Sequence, residues 1–375
     1  MKRLMTLLFA LTFVLGTLAG CGGSGSSTPP ASASGAAPES SDGGDAPASG
    51  GSMTLYTWQG MFPQEVLDGF TQETGIAVNY ANFDLDETML ARLEAAGGGD
   101  YDLVIADDYI IETVIAEGLA QKLDTAKIPN IGNVDPVFQG QFFDPTDEYT
   151  VPYGSGVQTI VYDPALVEKE ITCYADLWDE SLRDNLAVIG NYRVINGMAL
   201  KILGESYNTE DISVIEAAGA KLLELAPNIR LIKNDNLQDD LLSGEVGAAV
   251  MYTSQVTMAM LSNPSLQVVY PTEGIGLGIM GCFIPSKAPN PDGAHAFLEY
   301  ILRPEIAAQC FEYLGYYCTN QAAEDLINPE YRPFLILPEG IGETDMVQTV
   351  SAAAEEAHNR VWTEFRTACG SAAVD

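Results

Sequence analysis

Between Met53 and Gly118 the chain alternates short strand-like runs with amphipathic stretches, and this rhythm restricts the fold more than any other feature. Met53 to Trp58, Ile76 to Tyr80 and Asp102 to Ile105 read as strands. A helix opens at Pro63, carries Val66, Leu67 and Phe70 on one face, and stops at Gly75. A second runs from Asp86 to Ala96, with Met89, Leu90 and Leu93 at helical spacing, and ends at three glycines, 97 to 99. A third covers Ile110 to Glu117 and ends at Gly118. Alternation of this kind predicts a largely parallel α/β sheet. Ligands of such sheets sit at the carboxyl ends of the strands. That rule singles out Trp58 and Gln59 after the first strand, and Asp107, Asp108 and Tyr109 after the third.

A second β/α stretch runs from about Ile160 to Tyr270. It offers strands at 186–189 and 247–252 and helices at 194–203 and 212–225. A strand at 279–284 follows, then helices at 291–302, 304–314 and 322–326, and a terminal helix over 347–367 that carries Trp362 and Phe365. Residues 53–375 exceed one ordinary domain, so two are expected.

The first 52 residues are of another kind. Lys2 and Arg3 precede an apolar run from Leu4 to Leu18, which is shorter than the ~20 residues of a membrane-spanning helix. It fits the apolar core of a secretory signal peptide. The run ends in Leu18-Ala19-Gly20-Cys21, which looks like a bacterial lipobox, with cleavage before a lipidated Cys21. Residues 22 to 52 are almost all Gly, Ser, Ala, Pro and Asp, a composition that predicts a disordered tether.

Without Lys2 and Arg3, 15 basic residues face 52 acidic ones, a net charge of −37. Nucleic acids and anionic membrane surfaces are thereby excluded as partners. Cysteines stand at 21, 173, 282, 310, 318 and 369, with no CxxC pair and no zinc spacing. Two histidines, His295 and His358, leave little material for a catalytic triad or a metal site. No cofactor is expected, and no nucleophile accompanies the paired Asp107 and Asp108, so an enzyme is not expected either.

Several strings, in order, resemble the spermidine/putrescine-binding proteins of bacterial ABC importers. They include Leu55-Tyr56-Thr57-Trp58, Phe70-Thr71-Gln72-Glu73-Thr74-Gly75, Asp86-Glu87-Thr88-Met89 and Tyr101-Asp102-Leu103-Val104. Val151-Pro152-Tyr153-Gly154, Ser243-Gly244-Glu245-Val246, Leu302-Arg303-Pro304-Glu305 and Leu314-Gly315-Tyr316 continue the series. The resemblance implies a two-lobed, periplasmic-binding-protein-like α/β fold of type II. Each lobe would be a mixed sheet flanked by helices, with the ligand in the cleft between them. The lobes would comprise 53–156 with 279–325, and 160–274 with 330–375, joined by crossings near 156–160, 274–279 and 325–330.

The same resemblance implies an aromatic site of Trp58, Tyr109, Tyr252 and Tyr316, with Gln59 beside it. Three of the family's acidic positions fall on Asn191, Val194 and Met280. A buried ammonium needs a carboxylate partner. Asp107 or Asp108 is the candidate replacement for a polyamine, and a ligand with fewer positive charges than spermidine is expected. Arg193 is the alternative anchor, for the carboxylate of a zwitterion such as an amino acid, 4-aminobutyrate or betaine. The implied partners are the small-molecule amine and an ABC permease with its ATPase. The implied location is extracytoplasmic, held to the membrane by the lipid on Cys21.

Overall fold

The computed structural model describes residues 51–339, 341 and 344–370. The leader, Cys21 and the tether as far as residue 50 lie outside the described residues. The strands are β1 (Ser52–Thr57), β2 (Ala77–Asn82), β3 (Leu103–Asp107), β4 (Thr150–Tyr162), β5 (Leu186–Val188), β6 (Ile229–Ile232), β7 (Ala248–Tyr252), β8 (Gln267–Val269), β9 (Ile275–Phe283) and β10 (Thr344–Met346). The helices are α1 (Gln64–Thr74), α2 (Asp86–Ala95), α3 (Asp108–Ala116), α4 (Tyr192–Ile202), α5 (Ile212–Leu225), α6 (Leu237–Ser243), α7 (Thr253–Ser262), α8 (Pro291–Ile301), α9 (Pro304–Leu314), α10 (Arg332–Leu335) and α11 (Ala352–Cys369).

Local chemistry sets most of these boundaries. At the end of α1, Gly75 takes φ 72° and its N–H closes on the Thr71 carbonyl. Asn191 caps α4 through its side-chain oxygen, and Ser351 caps α11. β1 pairs in parallel with β2 and β3, and β3 runs antiparallel to β9. β5 lies parallel between β6 and β7.

Two halves of this sheet meet on β4. From Thr150 to Val157 it pairs with β9, and from Gln158 to Tyr162 it pairs with β7. The alternation of the sequence assigns no strand before Ile160, because Pro152, Gly154 and Gly156 break the pattern. The ladder absorbs them with a shift in register between Pro152 and Ser155, where Gly154 takes φ 81°. A Cβ on Gly154 would meet Met280 Cε at 2.6 Å. β9 likewise starts at Ile275, four residues before the strand expected at 279–284, and its early glycines hide it.

Two separate cores follow. Met53, Leu55, Phe70, Leu103 and Phe297 belong to one, backed on the other face of the same strands by Tyr56, Met89, Val104 and Phe283. Ile160, Val188, Met198, Leu222, Val250 and Phe365 belong to the other. The chain is thus two-lobed. Ile327 and Leu335 still pack with Ala307, Ala308 and Phe311 of α9, whereas Ala354 and Val361 of α11 belong to the second core. The helix expected over 322–326 is a single tight turn, Glu324–Leu326, and α11 begins at Ala352 rather than 347. The described cysteines, at 173, 282, 310, 318 and 369, are free thiols. No helix among the described residues is long and apolar enough to cross a membrane.

The second lobe is packed tightly enough to test. A Cβ on Gly197, in α4, would lie 1.7 Å from the ring of Tyr207, which is 1% exposed. Helix propensity alone would make Gly197→Ala stabilising by ~1 kcal/mol. Overpacking of this severity costs ~1–3 kcal/mol or more. We expect a net loss of about 2 kcal/mol in urea denaturation. A gain in stability would show that the ring moves aside freely.

Candidate functional site

Three strand ends of the first lobe supply one wall of the cleft. Trp58 follows β1 and is partly buried against Phe83, with ring centroids 5.0 Å apart at 57°. The Tyr80 hydroxyl donates to the Trp58 carbonyl at 2.8 Å and fixes the turn. Gln59 is exposed in that turn. Beyond β2, the N-terminus of α2 places Asp86 and Glu87. Beyond β3 come Asp107, Asp108 and Tyr109.

Asp86, Glu87 and Asp107 form an acidic group. The Asp107 N–H donates to Asp86 Oδ1 at 3.3 Å. Burial, then the charge of Asp107, pushes the Asp86 pKa well up. Burial, then the charge of Glu87, raises Asp107 to about 6, against the opposing hydrogen bond from Asp86. The Tyr109 hydroxyl donates to Glu87 Oε1 at 3.1 Å. Burial, followed by the charges of Asp86 and Asp107, raises the pKa of that hydroxyl.

Asp108, paired with Asp107 in the sequence reading, has a different role. It is 3% exposed and accepts from the Ile279 N–H at 3.0 Å and from the Tyr109 N–H at 2.8 Å. It pins α3 to β9, so Asp107 remains the ammonium candidate and Asp108 does not.

The second lobe supplies Asn191, Tyr192 and Arg193 at the start of α4, and Tyr252 at the end of β7. Asn191 caps α4 through its side-chain oxygen. Tyr316 follows α9, partly buried against the same core as Trp58. Burial first raises the pKa of both Tyr252 and Tyr316, Tyr316 to about 12, with the charge of Asp107 a smaller cause in each and that of Tyr316 preceding it for Tyr252.

Arg193 is not free to meet a ligand carboxylate, contrary to the alternative in the sequence reading. Its Nη2 donates to the carbonyls of Tyr207 (3.1 Å) and Gln348 (3.3 Å) and to Asn208 Oδ1 (3.3 Å). Its Nη1 stands 3.8 Å from Glu355 Oε2. Nη2 is thus fully engaged by the protein, while Nε has no partner and Nη1 makes only the longer ion pair. Val194 and Met280 are buried and apolar. Sequence reasoning missed Asp86, Glu87 and Tyr192. The first two follow β2 at a strand's carboxyl end, so the rule that selected Asp107 points to them equally.

These carboxyls set a pH dependence. The folded pKa of Asp107 lies above its ordinary value of 3.8, so its contribution to stability is full below pH ~4 and is lost as pH rises through about 6. Asp107→Asn should therefore raise the melting temperature at pH 7.5 and change it little at pH 4. A variant less stable than wild type at pH 7.5 would mean that a partner holds the carboxylate.

The profile of the family described as bacterial extracellular solute-binding protein matches residues 65–332. The spermidine/putrescine-binding periplasmic protein of Escherichia coli (strain K12) is 36% identical over 279 residues, 74% of this chain and 80% of that protein. The putrescine/agmatine-binding protein of Pseudomonas aeruginosa is 29% identical over 84% of this chain and 92% of its own length. Among solved structures, the spermidine/putrescine ABC transporter substrate-binding protein PotD of Streptococcus pneumoniae superposes with TM-score 0.76 at 30% identity, over 85% of this chain and 99% of that one. With two lobes, strand-end aromatics and these relatives, the chain belongs to the bacterial extracellular solute-binding proteins, in the spermidine/putrescine-binding family, and is a transport component rather than an enzyme.

Proposed function

We propose that this protein captures a linear diamine such as putrescine for an ABC importer and delivers it to the membrane permease and its ATPase. The observation that carries the reading is the acidic group Asp86, Glu87 and Asp107, set among Tyr109, Tyr252 and Tyr316. Carboxylates that repel one another while partly withdrawn from water are relieved by a cation. Aromatic faces add about 0.5–2 kcal/mol per cation contact and cover the alkyl stem. The family's usual acids are absent at Asn191, Val194 and Met280, so the charge sits on the first lobe alone. That supports a ligand with fewer charges than spermidine. The commitment of Arg193 to carbonyl oxygens weighs against a zwitterion. Curated relatives named for putrescine with spermidine or agmatine favour an amine.

We take the lobes as 53–156 with 279–335, and 160–274 with the terminal helix. The leader and the Leu18-Ala19-Gly20-Cys21 string support an extracytoplasmic protein anchored by lipid on Cys21. Intact-mass spectrometry of membrane-fraction protein should give a mature chain that begins at a diacylglyceryl Cys21. A soluble product starting elsewhere would defeat the anchor.

Calorimetry tests the ligand. An ammonium favours the ionised form of Asp107, so affinity should rise as pH rises through about 6. Protonation at that pKa predicts about tenfold weaker putrescine binding at pH 5 than at pH 7, with proton release on binding. Asp107→Asn should weaken binding at pH 7 and flatten the pH profile. Tight binding that ignores both the pH and the substitution would move the ammonium to another partner.

A further inference from the structure

The segment Thr344 to Ser351 is fastened to the second lobe by far more than its short strand. Asp345 accepts from the Ser206 hydroxyl at 2.8 Å and the Tyr207 N–H at 2.9 Å, and pairs with Lys201 at 3.1 Å. Asn208 donates to the Met346 carbonyl at 2.7 Å and accepts from the Gln348 N–H at 2.8 Å. Glu210 accepts from the Ser351 N–H at 2.9 Å. Arg193, 8% exposed, closes the group by donating to the Gln348 carbonyl while it holds Tyr207 and Asn208. Two residues on this segment reach the other lobe, Met346 by packing on the core of Tyr56, Met89 and Val104, and Thr349 by a hydrogen bond. The Thr349 hydroxyl donates to the Tyr109 carbonyl at 3.3 Å. Tyr109 is the residue whose own hydroxyl holds Glu87. Around this contact the charge of Glu87 is felt at the Tyr192 hydroxyl of the second lobe, and Tyr192 is in turn bonded to Glu355.

We propose that Arg193 and Thr349 are positioning residues for ligand capture. Arg193 anchors the segment 344–351 to the second lobe, and Thr349, carried on it, latches onto Tyr109 when the cleft closes. The inference rests on the reading that the cleft closes over an amine. A bond that exists only in the closed state slows opening without touching the ligand. The bond is exposed, and a net hydrogen bond of ordinary strength corresponds to a few-fold change in the closed population. Removing it should raise the dissociation rate and leave association unchanged, a split that a general loss of structure would not produce.

The test is stopped-flow binding of putrescine to wild type, Thr349→Val, Thr349→Ser and Asp345→Asn. Thr349→Val and Asp345→Asn should each dissociate about three- to fivefold faster, with association within twofold of wild type. Thr349→Ser keeps the hydroxyl and should behave as wild type. An unchanged dissociation rate in Thr349→Val, or an effect confined to association, overturns the latch. Wild-type protein that fails to bind putrescine overturns the amine reading instead. The latch then stands or falls on small-angle scattering of ligand-free protein, where Thr349→Val should increase the radius of gyration and Thr349→Ser should not.

Discussion

The antiparallel pairing of β4 with β9 on one side and β7 on the other is the constraint from which the rest of the molecule follows. A strand shared by two sheets gives each lobe a common edge, so the lobes cannot drift apart and need only bend. The bend has a place in the chain. Between Pro152 and Ser155 the ladder slips, and Gly154 adopts a backbone angle that other residues resist. Side chains at Gly154 and Gly156 would collide with Met280 and Tyr316, so the glycines also let the cleft wall come close to the crossing strands.

Neighbouring acids in this site meet different fates for a simple reason. Asp108 is the more buried, and two backbone N–H groups take up its oxygens. Such a carboxyl contributes to holding α3 against β9. Asp107 has no such pair of donors; burial and then the charge of Glu87 raise its pKa, and its own charge raises that of Asp86. The free protein carries that repulsion as a local loss of stability. On the proposed amine reading a ligand cation would remove it, which would couple affinity to stability and both to pH.

Arg193 is the opposite case, a buried cation whose guanidinium is almost fully engaged by the protein itself. It joins the α4–α5 connection to the segment that returns from the first lobe. Three separated pieces of chain meet at one side chain, and the loss of any of them would leave a desolvated charge. Such a hub serves the geometry of closure better than it would serve recognition.

Strand and helix alternation over 53–118, the aromatics at strand ends and the acidic character were all legible from the residues, because period and composition depend only on local order. Four parts of the structure were not. The strand at 150–159 was hidden because proline and glycine look like breaks until a partner strand tolerates them. The packing of Ile327 and Leu335 with α9 was hidden because it joins residues that no local pattern links. Asp86 and Asp107 stand 21 positions apart, and only the pairing of β1 with both β2 and β3 brings their strand ends together. Arg193 looked available because nothing near it in sequence names Gln348 or Glu355 as partners. The sequence by itself determined which residues could bind, through their chemistry and their places at strand ends. Only the tertiary structure decided which of them remain free to do so, because hydrogen-bond partners are chosen by folding and not by proximity along the chain.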